Sequence, residues 1–129
     1  MSVFKFRFAA LFAVAALALG ACSSAPIYNV NDAAITASGK SDAQVRKAII
    51  DAGTALGWQI TEVKPGLLLG TLHLREHTAI VDIPYTAKSY SILYKSSVNL
   101  AEKSGQIHKN YNGWVQNLDQ RIRVFLANT

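Results

Sequence analysis

The chain has a single cysteine, Cys22, among its 129 residues. No disulfide can form within it, and no thiolate pair is available to a zinc ion. The usual nucleophile motifs are missing too. After residue 21, no serine sits in a G-x-S-x-G elbow or an S-x-x-K arrangement, and Ser97 and Ser104 have no evident base. No glycine-rich loop is present to cradle a phosphate. The carboxylates are dispersed, with no pair set for acid–base work at a glycosidic bond. The apolar run Phe8 to Leu19 falls short of the ~20 residues that cross a bilayer. Charge is modest: with Lys5 and Arg7 set aside, 11 basic residues stand against 8 acidic, a formal +3. Without a basic stripe, nucleic acid finds nothing to hold. Such a surplus supports only a weak attraction to anionic lipid headgroups.

What is present begins at the first residues. Lys5 and Arg7 precede the apolar run, and Leu19-Gly20-Ala21-Cys22 ends it. A charged n-region, a short hydrophobic h-region and a small-residue cleavage site make a secretory leader. Ordinary cleavage before Cys22 would put Leu19 where a small residue is favoured, so a different processing rule fits better. Leu-Gly-Ala-Cys resembles the lipobox of bacterial lipoproteins. The resemblance implies that Leu19, Gly20 and Ala21 are recognition positions, that residues 1–21 are removed, and that Cys22 carries the lipid. It also implies an outer-membrane address facing the periplasm, because Ser23 stands where an aspartate usually retains a Gram-negative lipoprotein at the inner membrane. Two or three acyl chains, at about 0.8 kcal/mol per buried methylene, anchor a protein effectively for good. A thioether also protects a lone exported thiol from oxidation.

The 108 residues after Ala21 suit one domain with one core. Residues 22–40 read as the lipidated N-terminus and a flexible tether with a reach of roughly 25 Å, including one short strand at Ile27–Val30. Residues 41–129 are the periplasmic domain. Ser41 and Gln44 form a capping box, and Val45, Ala48, Ile49, Ala52 and Leu56 recur on one helical face up to Gly57. Four strands follow as a meander: Trp58–Val63, Leu67–Arg75, a third after a Glu76-His77 loop, and Tyr90–Lys95. In this register Leu72 faces Val81, and Leu68, Leu72 and Leu74 share a face with Ala79, Val81, Ile83 and Tyr85. Residues 96–107 read as a connection. A last helix over Lys109–Ala127 buries Tyr111, Trp114, Val115, Leu118, Ile122, Phe125 and Leu126, with Asn112, Gln116, Asp119, Gln120 and Arg123 on its wet side. Gly113, costly in a helix interior, suggests a close approach beside Trp114.

Two amphipathic helices flanking a meander should cover one face of the sheet. The expected fold class is therefore α+β, a two-layer domain with a four-stranded antiparallel meander and the order α-β-β-β-β-α. That order resembles the helix-grip-like modules of some envelope lipoproteins. The run Ile107-His108-Lys109-Asn110-Tyr111-Asn112-Gly113-Trp114-Val115 resembles a block of small uncharacterised proteobacterial lipoproteins, which implies no activity.

His73 and His77 are four apart, but on a hairpin this does not bring them to one face, and no HExxH is present. The expected register sets His73 opposite Ile80 and diagonal to Asp82, a pair that could bind a metal or relay a proton or simply be polar cross-strand neighbours. His108 reads as a local cap. Trp58, Tyr90, Tyr94, Trp114 and Phe125 fall at core spacings rather than around a ligand. On the face away from the helices lie Leu69, His73, Ile80, Asp82, Leu93 and Lys95. Apolar side chains clustered on a wet face mark an interaction site, unless the tether folds back over them. The expectation is a non-enzymatic outer-membrane lipoprotein, with no cofactor, whose domain binds an envelope protein or cell-wall glycan through Leu69, His73, Ile80, Asp82 and Leu93. The alternative is a metal- or small-ligand-handling protein using His73 and Asp82, with Tyr90 a more distant candidate.

Overall fold

The first helix, α1 (Asp42–Ala55), starts where its capping box demands. Ser41 Oγ accepts the Gln44 N–H at 3.2 Å, and Gln44 Oε1 accepts the Ser41 N–H at 2.9 Å. Gly57, at φ +86, closes it in the left-handed region where glycine has no Cβ penalty. These positions come from a computed structural model that describes residues 23–37 and 39–129. The leader, the lipobox and Cys22 lie outside the described residues.

Among the described residues, seven strands accompany two helices. They are β1 (Ser24–Pro26), β2 (Val30–Ala34), β3 (Gln59–Lys64), β4 (Leu67–Leu74), β5 (His77–Pro84), β6 (Ser89–Val98) and β7 (Gln106–His108), and α2 (Lys109–Ala127) ends the series. The main sheet has five strands in the order β2-β6-β5-β4-β3, and β1 pairs with β7 in a two-stranded ribbon. All the pairings are antiparallel. The architecture is α+β, as expected, but the sheet has five strands rather than four.

The fifth strand comes from the stretch expected to be a tether. Val30 and Ala33, both buried, face Ile92 and Tyr90 across β6. They are three residues apart because Asp32, at φ +46, bulges out of the ladder and gives its N–H to Ser91 Oγ at 2.9 Å. A bulge breaks the alternation of period two by which a strand is recognised. Farther upstream, β1 lies against β7, Ser24 opposite His108 and Pro26 opposite Gln106. The connection expected over residues 96–107 thus contains the end of β6 and most of β7.

The β4–β5 hairpin also differs in register. Leu74 pairs with His77 and Leu72 with Ala79, so the loop is Arg75-Glu76 and every partner is displaced by two residues from the expected one. Arg75 takes φ +56 to make the turn. A shift of two preserves the face of every side chain, so Leu68, Leu72, Ala79, Val81 and Ile83 remain together in the core.

Both helices contribute to that core. Val45, Ala48, Ile49 and Ala52 of α1 and Tyr111, Val115, Leu118, Ile122 and Leu126 of α2 are buried with the inner sheet residues. Trp58 and Tyr90 are core residues too. Close packing depends on two glycines. A Cβ on Gly53 would stand 2.5 Å from Ile60 Cγ1, and one on Gly70 would stand 3.0 Å from Val81 Cγ2. No other element makes the close approach expected at Gly113: among the described residues, beyond its chain neighbours and its own helix backbone, no atom lies within 4 Å of its Cβ position.

Candidate functional site

The face of the sheet opposite the helices follows from strand alternation. Where Leu68 and Gly70 point inward, Leu69 points outward, and pairing extends this across the sheet in rows. Leu69, Asp82 and Leu93 form one row over β4, β5 and β6. Thr71, Ile80 and Ser96 form the next, and His73, Thr78 and Val98 the third. All five residues expected on the binding surface, Leu69, His73, Ile80, Asp82 and Leu93, therefore share one face of three adjacent strands. Leu69, Ile80 and Leu93 are only partly buried there. Of the described residues upstream of α1, Val30–Ala34 lie along the edge of the sheet as β2 and Ser24–Pro26 pair with β7.

The pair His73–Asp82 does not form. With the turn at Arg75-Glu76, His73 stands opposite Thr78 instead of Ile80, and its Nδ1 is 3.0 Å from Thr78 Oγ1. Asp82 is instead paired with Lys95, Nζ to Oδ1 at 3.4 Å. That is a partly exposed ion pair of the kind worth ~1 kcal/mol or less. The other histidines are also engaged locally. His77 Nδ1 is 2.7 Å from the Asn99 carbonyl oxygen, with its ring 6.3 Å from that of Trp114. His108 caps α2 as expected, its Nδ1 accepting the Asn110 N–H at 3.2 Å. Among the described residues, no group of three or more His, Cys, Asp or Glu side chains converges where a metal ion would sit.

A second polar cluster was assigned to solvent by its residue types. Asp119, expected on the wet side of α2, is only 9% exposed. Its Oδ1 accepts the Tyr90 hydroxyl at 2.5 Å and its Oδ2 accepts Arg123 Nε at 3.2 Å. Burial first, then the hydrogen bond and charge of Asp119, hold the Tyr90 proton well above the usual tyrosine range. The same carboxylate, through its hydrogen bond, strengthens the hold of Arg123 on its own proton. The cluster borders a cleft of about 250 Å³ between residues 34–37 and the last turns of α2. Both carboxylate oxygens are occupied within the fold, so the cluster ties α2 to β6. The i, i+4 spacing of Asp119 and Arg123 was the available signal, but nothing local shows that Tyr90 lies behind them.

No protein-family model matches the chain, and no curated protein or solved structure does.

Proposed function

We propose that this chain is an outer-membrane lipoprotein, anchored through lipid on Cys22, whose small periplasmic domain binds an envelope protein through the open face of its sheet. Leu19-Gly20-Ala21-Cys22 after a leader supports the anchor. The observation that carries the binding surface is the grouping of Leu69, Ile80 and Leu93, partly exposed in adjacent rows on the face opposite the helices. Apolar side chains in such a patch are what a protein partner covers. A glycan partner is favoured less, because among the described residues that face presents no phenylalanine, tyrosine or tryptophan ring: Trp58, Tyr90 and Tyr94 all pack toward the core. No catalytic role is assigned to any residue. With His73 and Asp82 held by different neighbours, the metal-handling alternative has no paired ligands behind it.

Anchor and surface are tested separately. Fatty-acid labelling in cells should mark the wild type and be lost in Cys22→Ala. Crosslinking in intact cells should capture an envelope protein that the double variant Ile80→Ser, Leu93→Ser no longer captures while its denaturation midpoint stays close to wild type. Unchanged capture by that variant removes the open face from consideration.

A further inference from the structure

The start of β1 fixes where the anchor is attached. Ser24 lies opposite His108 at the threshold of α2, and Cys22 precedes Ser24 by two residues. Two residues of extended chain span at most about 7 Å. That is shorter than the Debye length of ~8 Å at physiological ionic strength.

The surroundings of His108 are linked step by step through hydrogen bonds. The His108 N–H reaches the Leu100 carbonyl at 2.9 Å. Asn99 Nδ2 donates to the Glu76 carbonyl at 2.8 Å, and the Asn99 carbonyl holds His77 Nδ1. The threshold of α2, the loop after β6 and the β4–β5 turn thus make one end of the domain. Leu74 and Val98, 45% and 54% exposed, stand at that end. Around them are exposed Arg75, Lys103 and Lys109, against Glu76 and Glu102. Large apolar side chains among cations are what the interfacial layer of a bilayer accepts, the former at the acyl boundary and the latter on phosphates.

We propose that this end is a bilayer-contacting surface, seated on the phospholipid headgroups of the membrane that holds Cys22. The proposal rests on lipidation of Cys22 and adds the posture of the body. A net of one positive charge would not recruit a free protein. A spacer this short makes the contact intramolecular, at an effective concentration no solution encounter matches. The His73–Thr78–Val98 row of the open sheet face then lies at the margin of the contact, and the rows of Leu69 and Ile80 stand back from the lipid.

The test uses the acylated protein in vesicles of phosphatidylethanolamine and phosphatidylglycerol. A photo-crosslinking amino acid replaces Leu74, Val98, Val63 or Val124 in turn. Val63 and Val124 are also exposed, but Val63 precedes the β3–β4 turn and Val124 lies in the last turns of α2, away from Ser24. Positions 74 and 98 should capture phospholipid several-fold more than 63 and 124, and Arg75→Glu with Lys109→Glu should reduce that capture. Equal capture at the four positions, with the protein still on the vesicles, overturns the proposal. If fatty-acid labelling finds Cys22 unacylated, the anchor reading fails by itself. Coupling the same thiol to a maleimide lipid then holds the chain at that point, and the same comparison decides whether the end seats on lipid.

Discussion

The Tyr90 hydroxyl on β6 donates to Asp119 Oδ1 on α2 at 2.5 Å, with Arg123 on the other carboxylate oxygen. This is the buried polar link between the second helix and the sheet. Truncating one member of such a link leaves the other desolvated and short of a partner, which costs about 1–3 kcal/mol. Tyr90→Phe should lower the unfolding free energy by that amount, and Asp119→Ala by at least as much. Arg123→Ala should cost less, since its side chain is half in solvent. Urea denaturation of the three variants checks the order.

Tyr111 behaves in the opposite way. Its hydroxyl is buried and no group among the described residues pairs with it, while its ring keeps an edge contact with Tyr94 at 5.5 Å. Tyr111→Phe removes an unpaired polar group and little else. The variant should be as stable as the wild type or more stable by up to about 1 kcal/mol. A clear loss in the same titration would mean that the hydroxyl has a partner.

Alkaline pH tests both tyrosines together. Burial, then Asp119, raises the Tyr90 proton affinity, and burial, then Tyr94, raises that of Tyr111. Unfolded tyrosine releases its proton near pH 10, whereas these two retain theirs in the fold. Their contribution is therefore intact below about pH 10 and falls as the pH rises beyond it, at up to about 1.4 kcal/mol per pH unit for each group. The denaturation midpoint should be flat across neutral pH with respect to these groups and drop above that point. Tyr111→Phe should make the drop shallower.

Two glycines on the helices should respond to alanine with opposite signs. Gly113→Ala meets nothing within 4 Å and should stabilise α2 by about 0.5–1 kcal/mol through helix propensity. Gly53→Ala drives a methyl to 2.5 Å from Ile60 Cγ1 and should destabilise by about 1–3 kcal/mol as overpacking. Thermal melts of the pair decide it.

The strands before α1 belong to the folded body. A fragment beginning at Ser41 loses β2, uncovers the backbone edge of β6 and opens the core at Val30 and Ala33. It should unfold at markedly lower urea than a fragment beginning at Ser23, or aggregate through the bared edge. Comparison of the two by circular dichroism and size-exclusion chromatography is sufficient.

How far the sequence could be read depended on the range of the signal. The Ser41 capping box and both bounds of α2 are local patterns and were legible. The inward face of β4 and β5 was legible because Leu68, Leu72, Val81 and Ile83 alternate. The register was not, because the turn depends on Arg75 adopting a positive φ and on Asn99, well downstream, holding His77 and Glu76. An error of two residues left the open face correctly populated while separating His73 from Asp82. β2 was hidden by the bulge at Asp32. Asp119 was placed in solvent because its polarity was visible and the Tyr90 hydroxyl behind it was not.

The pairing of β1 with β7 and of β2 with β6 has a consequence for assembly. Both N-terminal strands find their partners only among the last strands to emerge, so Ser24 waits for His108 and Val30 for Ile92. Such long-range closures are the slow steps of folding. On the export route proposed above, a chain entering a translocation pore by its leading end can seal these two seams only after Ile92 and His108 have crossed.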